Sequence, residues 1–342
     1  MPGDLARYAV ANARGRAMLA SSLGLGAMSQ WYALADARAM LEALSHTVYG
    51  RARSPEQSLE TTLTGRVAAI GSMLLETLRE REVAFFRLYL LRQEMENLKV
   101  VVRAVRRRLV WADVAGLIVD LPDVATIEPR ALVGAHDLRD LLERMRATPY
   151  ARPLAAAFHR LDSAGPFALE TALEIDYYER LWLAAGALEP ADAERVRHLL
   201  GILFDLLNLG WIARYRQVFG LAPEEVLNYV LREGKWLDFE RRRALAEDSD
   251  RPWEAALAGT PYAAVLRQAP DGDHEGAWVA LWRLLAREAR RNLAGYPFHA
   301  GVPLGVLLTA EIEIRDLRVL LAAKRLGMSL GAALDRVATV RN

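Results

Sequence analysis

Three pairs of polar residues recur along the chain at one helical spacing: Glu94 with Asn97, Asp205 with Asn208, and Glu313 with Asp316. Residues three apart share one helix face, so each pair sets a carboxylate beside an amide or a second carboxylate. Converging on a common axis, the six groups would form a polar rim or socket for a protein partner. Alternatively, each pair hydrogen-bonds to backbone inside its own helical unit, the commoner fate of buried polar side chains. Metal binding is disfavoured, because a divalent cation needs more convergent oxygen ligands than such a pair supplies.

Other chemistry-bearing residues do not assemble into a catalytic set. The histidines at 46, 136, 159, 198, 274 and 299 make no His-x-x-x-His or His-Glu-x-x-His pair, so a zinc-protease signature is missing. Neither a Gly-x-Ser-x-Gly elbow nor a Gly-x-x-x-x-Gly-Lys-Ser/Thr phosphate loop occurs. Gly24-Leu25-Gly26 lacks the preceding strand of a dinucleotide-binding turn and reads as an inter-helix loop. An all-helical isoprenoid synthase would need paired Asp-rich motifs for a magnesium-bound diphosphate, and no such pair is present. With no cysteine in 342 residues, disulfides and thiolate sites are excluded, which fits a reducing compartment. No catalytic residue, cofactor or metal is expected.

Two basic runs stand out, Arg103 to Arg108 and Arg241-Arg242-Arg243, and Arg214 and Lys324 follow the second and third polar pairs as Arg103 follows the first. Such runs meet acidic partners or lipid headgroups, although a solvated helix face is the more frequent role. The candidate partner contacts are therefore Glu94, Asn97, Arg103, Arg106, Arg107, Asp205, Asn208, Arg214, Glu313 and Asp316. The 44 basic and 43 acidic residues leave a net charge of +1, so no overall field draws in nucleic acid. Trp182, Trp211, Trp236, Trp253, Trp278 and Trp282 lack an accompanying basic groove and read as packing residues.

Helices must position these groups. Hydrophobic residues make up 53% and charged residues 25%, enough for a packed interior, and the prevailing Ala, Leu and Arg favour helix. Leu91, Met95, Leu98, Val102, Val105 and Leu109 form one apolar stripe at alternating steps of three and four residues. Ile202, Leu206, Leu209 and Ala213 form another, and Leu307, Ala310, Ile314, Leu317 and Leu321 a third. No convincing strand pattern appears. Ser54-Pro55-Glu56-Gln57, Thr148-Pro149 and Thr260-Pro261 read as helix starts, as does Pro223-Glu224-Glu225.

The stripes belong to a larger repeat. An apolar-x-x-Thr-x-Tyr pattern occurs at Leu44-Thr47-Tyr49, Met145-Thr148-Tyr150 and Leu257-Thr260-Tyr262. Leu59-Glu60-Thr61-Thr62-Leu63 is echoed by Leu169-Glu170-Thr171-Ala172-Leu173 and, more weakly, around Ala277 to Leu281. The polar pairs come next, and short helical stretches close each copy near Ala112–Ile118, Glu224–Val230 and Leu330–Val337. These landmarks return about every 110 residues, which divides the chain into helical repeats 1–125, 126–236 and 237–342. Loops at Leu121-Pro122-Asp123, Glu233-Gly234, Pro270 to Asp273 and Gly295 to Pro303 are short, and no low-complexity linker separates the copies. A transmembrane helix needs about 20 apolar residues, whereas the most apolar run, Leu199 to Ile212, is shorter and carries Asp205 and Asn208. Neither a signal peptide nor a membrane span is expected.

Three helical units of this size, with Thr-x-Tyr-Gly at 47–50, Glu-Asn-Leu-Lys and Arg-Ala within 96–104, and Arg-Asp-Leu-Arg at 315–318, resemble the C subunit of prokaryotic V-type (A-type) ATPases, whose eukaryotic counterpart is the d subunit. The resemblance implies an all-α funnel with pseudo-threefold symmetry, seated on the cytoplasmic face of the membrane proteolipid ring. It implies a non-catalytic rotor component of the central stalk, whose opening receives shaft subunits of the D and F type and passes torque to the ring. The third unit departs from the pattern in its weaker Leu-Glu motif and in Asp316 where the others have Asn. The competing class is an all-helical cytoplasmic adaptor; an α-solenoid of that kind would show shorter repeats of about 34–47 residues.

Overall fold

In the computed structural model, residues 2–50, 58–159, 165–247, 253–267 and 274–339 are described. Their regular structure is entirely helical, with no strand among them. In chain order the helices are α1 (Pro2–Ala20), α2 (Leu25–Tyr32), α3 (Ala37–Ser45), α4 (Leu59–Leu75), α5 (Glu80–Arg107), α6 (Trp111–Val114), α7 (Pro129–Val133), α8 (Leu138–Arg144) and α9 (Ala151–Phe158). They continue as α10 (Pro166–Gly186), α11 (Pro190–Gln217), α12 (Pro223–Leu227), α13 (Phe239–Glu247), α14 (Trp253–Ala256), α15 (Pro261–Leu266), α16 (His274–Leu293), α17 (Gly301–Arg325) and α18 (Leu330–Leu334).

These helices gather into two compact units. One comprises Ser45–Glu76 and Glu80–Ala184; the other comprises Met1–Leu44, Thr77–Arg79 and Ala185–Asn342. In the first, α4 lies along α5, so closely that a Cβ on Gly71 would collide with the Leu90 side chain. Helix α5 buries Leu91, Met95, Leu98, Val102 and Val105 as its stripe predicts. Leu109, counted in that stripe, is only half-buried, because α5 ends at Arg107. In the other unit α16 and α17 form a long hairpin, and α11 packs on both of them and on α13. There Ile202, Leu206 and Leu209 of α11, and Leu307, Ala310, Ile314, Leu317 and Leu321 of α17, are buried.

The apolar run lies within the 28-residue α11, and an 18-residue stretch of that helix is long and apolar enough to cross a membrane. Of that stretch 67% is buried within the protein, and its Asp205 and Asn208 are fully enclosed and hydrogen-bonded. That is the character of a core helix.

Helix boundaries follow the start signals in part. Ser54 to Gln57 and the Pro270 to Asp273 loop lie outside the described residues; α4 is instead capped by Ser58, whose hydroxyl accepts from Thr61 N at 3.2 Å. Thr148 does not cap α9, which starts at Ala151: its hydroxyl turns back to Met145 O at 2.7 Å. Thr260 does precede α15 with Pro261 at the first position, but its hydroxyl likewise bonds back, to Leu257 O at 2.6 Å. Gly24 ends the first inter-helix connection, while Leu25 and Gly26 already belong to α2. The connection after Gly295 is shorter than the sequence indicates, since Gly301 to Pro303 form the first turn of α17.

The three long helices that carry the polar pairs stop in the same way. Arg108 after α5, Gly220 after α11 and Gly327 after α17 have φ of 55°, 62° and 68°. At all three ends the next amide reaches back across the last turn, Leu109 N to Ala104 O, Leu221 N to Tyr215 O and Met328 N to Ala323 O, each at 3.0 Å. A left-handed residue of this kind satisfies terminal carbonyls that the helix leaves open. Only Arg108 bears a side chain there, against the steric preference for glycine.

Candidate functional site

The recurring polar pairs act as clamps on the chain that follows their helix. Asn97 of α5 grips Val119 from both sides: its Nδ2 donates to Val119 O at 2.8 Å and its Oδ1 accepts from Val119 N at 2.9 Å. Asn208 of α11 holds Leu231 identically, at 2.9 and 2.8 Å. A primary amide is the side chain that offers one donor and one acceptor side by side, so it can replace the paired backbone of a missing strand. In the third copy the partner presents donors alone: Asp316 accepts from Ala338 N at 2.8 Å and from Thr339 N and Oγ1 at 2.6 Å each. A carboxylate suits that set, and Arg315 balances its charge at 2.7 Å. The exchange of Asn for Asp thus follows the chemistry of the clamped segment.

The acid one turn earlier holds a second point. Glu94 accepts from Thr126 N at 2.6 and 2.9 Å and from its hydroxyl at 2.6 Å. Asp205 accepts from the successive amides of Lys235, Trp236 and Leu237 at 3.1, 2.7 and 3.3 Å. Gly234 makes this cradle possible, because a Cβ there would run into Asp205 Oδ1. Glu313 departs from the scheme: its donor is Leu23 N, from the connection between α1 and α2.

The Thr-x-Tyr landmark belongs to the same device. Its threonine hydroxyl bonds back to the apolar residue's carbonyl at Met145 and Leu257, and its tyrosine points into the core, with Tyr150 and Tyr262 buried. Tyr262 Oη donates to Asp205 Oδ2 at 2.8 Å. The acids of the first two pairs therefore meet the tyrosine of the next landmark: Tyr150 is buried beside Glu94, though without a hydrogen bond of normal geometry. Burial pushes the Asp205 carboxyl up to about 6, against the lowering effect of the Trp236 amide and the Tyr262 hydroxyl. Glu94 and Asp316 are raised as well, again by burial and against their bonds to Thr126 and to Ala338 and Thr339. Burial, then the Asp205 carboxylate beside it, holds the Tyr262 hydroxyl above the usual phenol range.

Of the ten candidate contacts, Glu94, Asn97, Asp205, Asn208, Glu313 and Asp316 are all at most 3% exposed. Most of their polar atoms are engaged by the protein's own backbone, and Asn97 also lines a groove. The basic candidates lie outside. Arg106 and Arg107 are exposed in the last turn of α5, where positive charge suits the helix end. Exposed Arg103 pairs with Glu170 of α10 through two bonds, one of 2.7 Å. Arg214, also exposed, stacks over Phe219 at 5.3 Å. Lys324, the third residue in that series, donates to Tyr32 O at 2.9 Å and lies over its ring.

Sequence reasoning did not find the Tyr262–Asp205 bond, because 57 residues separate the partners. It also passed over Lys99, buried against Glu174 and, at 2.8 Å, Glu96. Burial depresses the Lys99 ammonium, but the two carboxylates outweigh it and raise the group overall. The scarcity of lysine, found only at 99, 235 and 324, was the available signal. Among the described residues no cluster of His, Cys, Asp and Glu is placed to hold a metal ion.

The sequence model of the ATP synthase (C/AC39) subunit family matches residues 11–331. Among similar proteins, the C subunit of the A-type ATP synthase from Methanothermobacter thermautotrophicus is 25% identical over 333 residues, covering 94% of this chain and 85% of the relative. That of Methanocaldococcus jannaschii is 21% identical, covering 94% and 84%, and that of Thermococcus kodakarensis is 25% identical, covering 92% and 85%.

Proposed function

Because this chain belongs to the ATP synthase (C/AC39) subunit family, we propose that it is the non-catalytic socket of a V/A-type ATPase rotor. It joins central-shaft subunits of the D and F type to the membrane proteolipid ring and carries torque between them. In this reading the three helical repeats, 1–125, 126–236 and 237–342, surround the shaft axis as a pseudo-threefold funnel. The protein then sits peripherally on the cytoplasmic side of the membrane, held there by the ring.

The observation that carries the reading is the family match along nearly the whole chain, on a helical body whose repeated carboxylates are engaged by its own backbone. A torque-bearing part has to resist shear between successive helices, and side chains clamping the connections supply that resistance. Among the ten candidates, the exposed arginines Arg106, Arg107 and Arg214, with Arg103 behind its pair to Glu170, serve as direct partner contacts. Glu94, Asn97, Asp205 and Asn208 serve the interface by fixing the two helices that present those arginines, and Glu313 and Asp316 fix α17 in the same way.

Solubilising native membranes in mild detergent and purifying on a tag fused to this chain tests the proposal. Co-purification of the ATPase head, shaft and proteolipid ring is the expected result. Recovery without any of them would overturn it in favour of the adaptor reading.

A further inference from the structure

Between α5 and α7 the chain forms a groove of about 400 Å³ in the unit containing residues 80–184, with Asn97 and Val119 among its lining residues and Trp111, Ile118 and Ile127 among its apolar ones. Asp120 and Glu128 line it and are exposed, and none of its lining residues is basic. The stretch from Leu109 to Pro129 has four acidic residues and no Lys, Arg or His. Arg87 does reach this stretch, donating to Asp123 O at 2.8 Å, but it is not among the lining groups. Val110 and Leu117, in the same stretch, are 61% and 50% exposed.

A small-molecule site of this size would need convergent polar groups free to orient a ligand. Here Asn97 already has its carbonyl oxygen and an amide N–H engaged by Val119, and most of the other lining residues are apolar. An apolar surface with an acidic border fits a protein segment of opposite charge. The absence of basic residues also sets this copy apart: the corresponding stretches after α11 and α17 carry Arg232 and Lys235, and Arg336. A ring of identical subunits presents the same loop many times and would favour a surface repeated in each copy. A single-copy feature fits a non-repeating partner.

We propose that this groove receives an apolar helix tip or turn flanked by Lys or Arg, contributed by the rotor shaft. The inference rests on the socket reading and adds to it a location and a chemistry. Its test is binding of the full-length protein to purified D- and F-type shaft subunits, for wild type, Asp120→Lys/Ala125→Arg and Glu179→Lys. Both substituted groove positions are exposed, and Glu179 is an exposed residue of α10 away from the groove segment. The expected result is a loss of about tenfold or more in affinity for the groove variant, reduced by added salt, with Glu179→Lys unchanged and all three melting alike. If wild type binds and the groove variant binds equally well, the groove inference is overturned while the socket reading stands. If wild type itself does not bind the shaft, the socket reading fails and the inference fails with it.

Discussion

Asn208 shows what a single side chain does in this protein. It is fully buried, and it pairs with both backbone groups of Leu231. Truncation to alanine would leave a buried N–H and a buried C=O without partners, so Asn208→Ala is expected to cost about 3 kcal/mol in urea unfolding. Asp205, on the same helix, makes a different prediction. Its carboxyl has a folded value of about 6 against an ordinary 3.8, so the folded state binds the proton more tightly than the unfolded chain. This contribution to stability is fully present below 3.8 and is lost as pH rises through about 6. Wild type should therefore lose on the order of 3 kcal/mol relative to Asp205→Asn between about pH 3.5 and 7.5. Parallel denaturation curves of the two proteins, with a constant difference across that range, would remove the argument.

At the scale of the element, the shared helix ending is the informative feature. Gly220 and Gly327 adopt the left-handed conformation freely, whereas Arg108 holds it at φ 55° with a side chain attached. Arg108→Gly is expected to raise stability by about 1 kcal/mol, read as a higher urea midpoint at unchanged slope. The elements were also the most legible part of the sequence. Apolar stripes at three- and four-residue steps marked α5, α11 and α17, because burial along one helix face leaves a periodic trace. Helix starts were less legible: threonine before proline resembles a cap, yet Thr148 and Thr260 bond backward to Met145 and Leu257. The polar pairs were visible as a repeat, but their orientation was not. An acid and an amide on one face look the same whether the face meets solvent, a partner or a loop more than twenty residues downstream.

For the whole molecule, division into two units has a measurable effect. Asn97 and its partner Val119 lie in one unit, and Asn208 and Leu231 in the other. Having no shared partners, Asn97→Ala and Asn208→Ala should be additive within about 0.5 kcal/mol in the double variant. A larger coupling energy would mean that the clamps communicate. This division was not legible in the sequence, whose repeats suggested three blocks of similar length. Repeats record a recurring pattern of residues, whereas compact units record which segments pack, and the stretch near the beginning packs with the latter part of the chain.

That arrangement reaches into biosynthesis. Glu313 takes its donor from Leu23, Lys324 bonds to Tyr32 O, and Tyr32 Oη donates to Met328 O. On a ribosome, Leu23 and Tyr32 emerge long before α17 exists, and wait for these partners while some 290 further residues are added. The unit formed by residues 45–76 and 80–184 meets no such delay, since all its segments are made in one stretch. Translation therefore separates the steps: the middle of the chain can close first, Tyr8 of α1 meets Asp192 once α11 begins, and Leu23 and Tyr32 gain their partners only when the last long helix arrives. A stall or premature stop before Glu313 would leave the early helices without their seat, an exposed state that quality control can recognise.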